Sequence, residues 1–443
     1  MENSYVSIYD ISIGLIYMIT LIIIANSRKN KIVDEEIKKY YLRNILFKFF
    51  FAISFAVIYL IYYGGGDTTA YWDGAVTLNN LFFKSPSMYL ENMVSEPSPE
   101  IFSSHFNVET GYPPGWLYRE PEAWFICKIS SIISFFTFKS YFAATLVFSF
   151  LTAMASWRVF ELVAKLKTHK KHVAALCILF VPTVSFWCTG ISKDSLVFIS
   201  TLNLLYYIFN VMVLRNAIKL RHILIILFSI FIIYHARSFI LAAIAAPIFM
   251  AFGARLTKRY EKQILVKLLF RSIIIIGGTA LFLQFFASNF ADEMVTQAQV
   301  VQQDFTQNET YTGKRYEIAN TDASPAGLLR AIPESVFYGI YRPFINESIS
   351  PTLIINGIES LVLMFLTVRF FVSGSPFRKI KNIRKEEILV FAFIFSLFIA
   401  FMAGFTSVLF GVLVRIRAPL LPFFFLVLAS STNKTKVVTE IEQ

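Results

Sequence analysis

Long apolar runs, separated by short polar segments, recur from one end of the chain to the other. Several approach the roughly 20 residues that a helix needs to cross a bilayer, where only helices or closed barrels satisfy every backbone group. We predict an all-α fold, a polytopic integral membrane helical bundle of about 11 transmembrane helices in one domain over 1–443. The predicted spans are 8–26, 45–63, 140–164, 173–191, 195–213, 222–235, 238–254, 268–287, 353–373, 387–405 and 408–430.

Every second connection between these spans is basic, and such connections face the cytoplasm under the positive-inside rule. This orientation places the N-terminus outside and the C-terminus, with Lys434 and Lys436, in the cytoplasm. The residues concerned are Arg28, Lys29, Lys31, Lys38, Lys39, Arg43, Lys165, Lys167, Lys170, Lys171, Arg215, Lys219, Arg221, Arg255, Lys258, Arg259, Lys262, Arg378, Lys379, Lys381, Arg384 and Lys385.

Two connections of the other set are long, 64–139 and 288–352, and both hold more acids than bases. We predict that they are extracytoplasmic loops, the first with an interfacial or re-entrant helix over 123–138. A third, "YHARS" at 234–238, is predicted to turn within the outer half of the membrane. The loop acids include Asp67, Asp73, Glu91, Glu96, Glu100, Glu109, Asp292, Glu293, Asp304 and Glu309.

The composition is typical of a membrane protein and argues against several kinds of partner and site. The chain is 56% hydrophobic and 16% charged, which excludes an ordinary soluble domain. Its net charge of +12 follows from cytoplasmic loops beside anionic membrane lipids, so nucleic acid is not expected as a partner. The three cysteines form no CxxC or Cys/His cluster, which argues against a disulfide framework and a zinc site. Residues 11–25 lack the basic flank and cleavage site of a signal peptide, so we interpret them as a retained helix.

The stretch "GGGDTTAYWDGA" at 64–75 places acids and aromatic residues directly after an apolar run. Its glycines let the backbone bend towards the membrane, so that Asp67 could act as a general base or ligate a divalent metal ion. Tyr71, Trp72 and Asp73 extend this candidate site, since aromatic rings suit both sugar stacking and interface anchoring. The structural alternative is a solvated loop acid after a flexible helix end.

Two more candidate sites lie at predicted outer boundaries. Lys193 and Asp194 follow Ser192, which could cap the next helix, and an acid in its first turn would favour the helix dipole. His235 and Arg237 lie in "YHARS", where a guanidinium suits a phosphate or pyrophosphate. An ion pair of Arg237 with Asp194 or Asp67 is the competing explanation.

The last two candidate sites are in the C-terminal part. Arg342 and Glu347 precede the span at 353, and Pro343 fixes the backbone beside the arginine. Arg415 and Arg417 lie in an apolar run, and residues two apart on a helix point apart, so we expect one to bind and one to snorkel. Together the five places suit an anionic lipid-linked substrate whose reacting end lies outside the cytoplasm.

Part of this pattern resembles the GT-C superfamily of membrane glycosyltransferases, whose first outer loop carries D-x-x-x-Y-x-x-x-A. Asp67, Tyr71 and Ala75 occupy those positions. "PTVSFWCTGISKDSL" and "VRIRAPLLPFF" also resemble segments of bacterial membrane proteins from surface-polysaccharide gene clusters. The resemblance implies an inner-membrane enzyme that transfers sugar from or onto a polyprenyl phosphate or pyrophosphate, with Asp67 as base or metal ligand. The chain has one extra span before that loop and no paired Asp-Glu in it.

A second resemblance is to O-antigen-type polymerases and their ligase relatives, which hold undecaprenyl pyrophosphate with outer-face arginines. Arg237, Arg342 and Arg415 fit that description. The two resemblances imply the same substrate class and differ in whether one sugar or a whole repeat unit moves. A lipid-linked oligosaccharide transporter and a non-catalytic partner in an envelope polysaccharide assembly complex stay open as alternatives, because intramembrane charges also mark permeation paths.

Overall fold

The structure is a computed structural model that describes residues 5–259 and 325–430 without 349 and 408, together with Tyr316 and scattered positions between 263 and 277. About 81% of these residues are helical, and no strand occurs among them. The all-α prediction is therefore confirmed for the described chain. Most of the predicted span 268–287, the loop residues 288–315 with Asp292, Glu293, Asp304 and Glu309, and the tail with Lys434 and Lys436 lie outside the described residues.

Eight helices of the described chain are long and apolar enough to cross a membrane, which confirms the membrane class, whereas the count of eleven is not confirmed. Each corresponds to a predicted span. They are α1 (Ile8–Lys29), α2 (Glu35–Val57) with a π-helical turn to Tyr62, α7 (Tyr141–Leu166), α10 (Lys193–Met212), α11 (Leu220–Arg237), α14 (Pro351–Val372), α16 (Glu387–Thr406) and the pair α17 (Phe410–Arg417) and α18 (Leu421–Leu428).

Further helices lie between these spans. Between α2 and α7 lie α3 (Asp67–Lys84), α4 (Pro86–Val94), α5 (Pro99–His105) and α6 (Pro121–Phe136), and further along come α12 (Phe239–Arg259), α13 (Pro325–Tyr341) and α15 (Pro376–Ile383). A helix does form over most of the predicted interfacial segment 123–138, as α6. The segment at 64–139 is thus a folded set of helices rather than an open loop.

The predicted span 173–191 is broken into two short helices. Helix α8 (Lys171–Leu179) and helix α9 (Pro182–Trp187) are separated by Phe180 and Val181. Proline has no N–H to donate within a helix and its ring clashes with the preceding turn, so Pro182 starts a new helix instead of continuing the old one.

In the segment "YHARS" only Ser238 lies between two helices. Tyr234 to Arg237 form the last turn of α11, and Ser238, with φ −55° and ψ −36°, keeps the right-handed helical conformation before α12 begins at Phe239. The chain therefore passes from one helix to the next through a single residue, with no open reversing loop.

The chain divides into two compact units, the first formed by Met1–Leu162 and Ile178–Leu241, the second by Val163–Cys177 and Ala242–Gln443. In the first unit α3 packs on α6, α2 on α9 and α10 on α11. Glycine allows the first contact, because a Cβ on Gly74 would lie 2.7 Å from Cys127 Sγ.

The core of the second unit is built on α13 and α16. Their backbones touch at Gly339, where a Cβ would collide with the Ala400 carbonyl, and at Gly404, where it would collide with the Ser335 carbonyl. Small residues at facing positions permit this close approach of two apolar helices.

Candidate functional site

Three glycines place Asp67 at the start of α3. Gly64, Gly65 and Gly66 have φ angles of 67°, 136° and 146°, a region that other residues rarely adopt. The Thr69 hydroxyl then closes the first turn, since it accepts from the Gly66 N–H at 3.0 Å and donates to the Gly66 carbonyl at 2.8 Å. Asp67 is partly exposed in that turn, where the helix dipole favours a carboxylate.

The aromatic residues after Asp67 are buried. Tyr71 is 1% exposed and lies 6.2 Å from the Trp116 ring, and Trp72 is 2% exposed and lies 6.2 Å from the Tyr141 ring. Their faces pack within the protein, so this conformation favours a packing role over sugar stacking. The adjacent Thr68 is within 3.0 Å of the Tyr141 hydroxyl and joins the start of α3 to the start of α7.

Asp73 is held by the N-terminal segment. The Tyr5 hydroxyl donates a hydrogen bond to Asp73 Oδ1. Burial raises the pKa of Asp73, and the hydrogen bond from Tyr5 opposes that rise. Six positions separate Asp67 from Asp73, which sets them about 120° apart around α3. The two acids therefore do not act as a pair.

Lys193 lies where the starts of α10 and α6 meet. Ser192 caps α10 as the sequence predicts, because its Oγ accepts from the Ser195 N–H at 3.1 Å. Lys193 Nζ is 3.5 Å from Glu120 Oε2 and 3.8 Å from Glu122 Oε2. The lysine thus bridges from α10 to two carboxylates at the start of α6.

Arg237 forms an ion pair with Asp194, which was the predicted alternative to phosphate binding. Its Nη2 lies 2.7 Å from Asp194 Oδ1, with Asp194 4% exposed and the Arg237 side chain 15% exposed. Asp194 belongs to the first turn of α10 and Arg237 to the last turn of α11, so each charge also suits its own helix dipole.

His235, next to this pair in sequence, is exposed and packs against α6. Its ring stacks on Phe125 at 5.2 Å with an interplanar angle of 26°, and its Nδ1 lies 3.0 Å from the Phe231 carbonyl. A carbonyl only accepts, so Nδ1 carries the hydrogen and Nε2 is the accepting nitrogen of the neutral ring.

These contacts gather charged helix ends at one end of the first unit. We call Glu120, Glu122, Lys193, Asp194, His235 and Arg237 the helix-end cluster. Burial raises the pKa of the Cys127 thiol on α6. The Asp73 charge raises this pKa as well, whereas the Lys193 charge opposes the rise, so both charges act on the same side chain. The start of α3 with Asp67 belongs to the same end of the unit, because α3 and α6 pack in the same direction. Gly74 lies beside Cys127, and further along Asn79 Nδ2 donates to Ser134 Oγ at 2.9 Å, so Asp67 lies at the level of Glu120.

The cations of the helix-end cluster could bind an anion in place of, or together with, their present carboxylate partners. Lys193 and Arg237 already face carboxylates, so a phosphate would bind by sharing these cations or by displacing a carboxylate. A preformed metal centre is not evident, since the described residues contain no group of three His, Cys, Asp or Glu side chains that could hold a metal ion.

Arg342 and Glu347 form a second polar centre, within the second unit. Arg342 Nη2 is 2.7 Å from Glu347 Oε1, and Glu347 Oε2 accepts from the Phe344 N–H at 2.9 Å. The guanidinium lies 4.4 Å from the ring centroid of Tyr338. Other rings within cation–π distance are Tyr316, Phe344 and Phe410.

Arg417 is fully buried and binds the protein itself. Its Nη1 donates to the carbonyls of Ile340, at 3.1 Å, and Arg342, and its Nη2 donates to the Asn356 carbonyl at 3.3 Å. Both nitrogens also lie 3.2 Å from Ser360 Oγ. Arg417 therefore ties the end of α13 to α14, whereas Arg415, two positions earlier, is partly exposed.

Two further charges lie within spans and are not among the residues predicted from the sequence. Lys48 on α2 is 0% exposed, and Glu359 on α14 is 6% exposed and interacts electrostatically with Arg417. Each is a single charge within an apolar run, "ILFKFFFAISF" and "INGIESLVLMF". The other sites were chosen because a charge within a bilayer costs free energy. The same criterion, applied to every span, identifies Lys48 and Glu359.

No family model matches the chain, and neither a curated protein nor a solved structure matches it. The resemblance to GT-C glycosyltransferases or to O-antigen polymerases thus gains no support from these comparisons.

Proposed function

We propose that the protein is a membrane glycosyltransferase that acts at the extracytoplasmic face on sugars linked to polyprenyl phosphate or pyrophosphate, in cell-surface polysaccharide synthesis. The observation that carries the proposal is the helix-end cluster, in which Lys193 and Arg237 lie at the ends of membrane-length helices. Asp67 lies at the same end of the unit, because α3 runs beside α6 in the same direction. A lipid-linked sugar presents its phosphate at that depth while its tail stays in the bilayer.

In this reaction the acceptor hydroxyl attacks the anomeric carbon, and the bond from that carbon to the phosphate oxygen breaks. The electron pair leaves with the phosphate, where Lys193 and Arg237 stabilise the added charge. Asp67 takes the proton of the acceptor hydroxyl as general base, which its partial exposure permits. The alternative role that the resemblance implies for Asp67 is to ligate a divalent metal ion.

Asp67→Asn tests this role, because it keeps the shape of the side chain and removes its basicity. In a deletion strain complemented with this variant we expect loss of polysaccharide and accumulation of the unused lipid-linked donor, measured by mass spectrometry of extracted lipids. Glu100→Gln is the matched control, an exposed acid elsewhere between α2 and α7 that should restore synthesis. Full synthesis with Asp67→Asn at normal protein level would exclude Asp67 as the base.

The accumulated lipid also separates two kinds of transfer. A truncated unit indicates transfer of one sugar, whereas complete single repeat units indicate the polymerase alternative, in which whole units are joined.

A transporter of lipid-linked oligosaccharides is the second candidate, and the break between α8 and α9 favours it. Discontinuous helices line the substrate sites of many transporters, where they expose backbone groups to a ligand. Reconstitution in proteoliposomes separates the two candidates: movement of the lipid without any new glycosidic bond favours the transporter.

A further inference from the structure

Lys48 is a buried lysine at the middle of a membrane-length helix. The span Glu35–Tyr62 has 28 residues and Lys48 lies halfway along it, with 0% exposure. A lysine at the centre of a span costs about 3 kcal/mol on insertion scales, so its surroundings must offset a large part of that cost. One partner is Ser185 on α9, whose Oγ accepts from Lys48 Nζ at 2.7 Å.

Polar groups continue from Lys48 along α2 and α9. Asn44, one turn before Lys48, donates from Nδ2 to the Ala153 carbonyl on α7 at 2.9 Å, and its Oδ1 is buried with no hydrogen-bond partner among the described residues. On α9 the Ser185 hydroxyl donates to the Val181 carbonyl at 2.7 Å, at the break in the helix.

One face of α7 supplies hydroxyl groups to the same region. Thr145, Ser149, Thr152 and Ser156 follow the spacing of a single helix face and are at most 1% exposed. Asn44 meets Ala153 and Tyr41 meets Trp157, so α2 and α7 run antiparallel and Lys48 lies at the level of Ser149.

The hydroxyls of Ser149 and Ser156 are buried without a partner among the described residues. An unsatisfied buried hydroxyl costs about 1–3 kcal/mol, and several along one face would be hard to retain. Buried water satisfies such groups when two to four polar atoms surround it.

We propose that Lys48, Asn44 and the hydroxyl face of α7 form an internal hydrated site in the first unit. Its ligands are ordered water molecules that contact the Lys48 ammonium, the Asn44 carbonyl oxygen and the Ser149 hydroxyl. This water gives a lysine within the membrane a partner for proton exchange. The site is separate from the helix-end cluster and does not depend on sugar transfer.

X-ray radiolysis of the full chain in lipid nanodiscs tests the site, because radicals formed from bound water oxidise the side chains beside it. Ser149→Cys places a reactive sulfur on the hydroxyl face. Ala155→Cys is the matched control, also buried on α7 but about 120° around the helix from Ser149. We expect oxidation at position 149 to be roughly tenfold faster than at position 155, because only the polar face retains water. Equal rates would overturn the proposal.

Lys48→Leu, combined with Ser149→Cys, tests whether the bound water requires the lysine. We expect the oxidation rate at position 149 to fall to that of the control, and an unchanged rate would overturn the role of Lys48. The comparison of positions 149 and 155 is made with Lys48 present. It therefore tests whether the site holds water even if Lys48→Leu impairs folding.

Discussion

At the scale of single residues, Arg237 combines two roles that experiments must separate. Its pair with Asp194 stabilises the contact between α10 and α11, and the same guanidinium is the proposed phosphate ligand. A loss of activity on its substitution would therefore be ambiguous without a measurement of stability.

A double-mutant cycle on this pair resolves the ambiguity. Arg237→Ala leaves a buried carboxylate without this cation, and we expect it to lower the free energy of unfolding by about 3–5 kcal/mol. Adding Asp194→Ala should recover part of that loss, because the carboxylate is then gone. Unfolding in detergent measures the stability. Loss of transfer activity in the double variant, with activity retained by Asp194→Ala alone, assigns Arg237 to phosphate binding. Strictly additive losses would contradict a coupled pair.

The buried carboxyl group of Asp73 should make the stability of the protein depend on pH. Since burial raises its pKa, the folded state binds the proton more tightly than the unfolded state. Stability therefore falls as the pH rises from 3.8, the ordinary pKa of an aspartate, through the raised pKa of the folded state. Asp73→Asn removes this loss, so the variant should gain stability over the wild type at pH 7 and gain little at pH 4. Tyr5→Phe should extend the falling range to higher pH, because the hydrogen bond from Tyr5 lowers the pKa of Asp73.

Melting temperatures across pH 4–8, taken as the difference between each variant and the wild type, measure this effect. A difference for Asp73→Asn that is the same at every pH would show that the carboxyl does not titrate differently on folding.

At the scale of helices, the sequence predicted those spans whose apolar runs are long and uninterrupted. It missed the break at Phe180 and Val181 because hydropathy averages over Pro182. It placed a turn over 234–238, whereas α11 continues through Arg237 and only Ser238 separates it from α12. The cap at Ser192 was predictable because capping depends on local residues, whereas the partners of Arg417 come from helices that are distant in sequence.

The contact between α13 and α16 gives a prediction with an internal control. Gly339→Ala would drive a Cβ into the Ala400 backbone, so the helices must separate, and we expect a loss of at least about 3 kcal/mol. Gly411→Ala, on α17, meets nothing within 4 Å and should be neutral or stabilising by up to about 1 kcal/mol, because alanine favours helix. Thermal unfolding of both variants decides it, and similar stabilities would refute the close helix contact.

At the scale of the whole molecule, Asp67 and the helix-end cluster lie at helix ends that the charge pattern predicts to face the extracytoplasmic side. The sequence could predict this grouping only from topology, because the partners of Lys193 and Arg237 depend on which helices pack together.

Cysteine labelling tests the predicted orientation. Glu100→Cys and Lys381→Cys each place a thiol at an exposed position, and the three native cysteines are buried. In intact cells a membrane-impermeant maleimide should label position 100, while position 381 should react only after permeabilisation. The reverse pattern would place the helix-end cluster in the cytoplasm and contradict extracytoplasmic transfer.

The most direct measurement is transfer by the purified protein in proteoliposomes, supplied with lipid-linked oligosaccharides extracted from a strain that lacks it. We predict that mass spectrometry will detect a new glycosidic bond together with the released polyprenyl phosphate or pyrophosphate, and that Asp67→Asn will abolish both while Glu100→Gln will not. Product formation by Asp67→Asn at the wild-type rate would contradict the proposed site, and no product from any form with lipid movement intact would contradict glycosyl transfer itself.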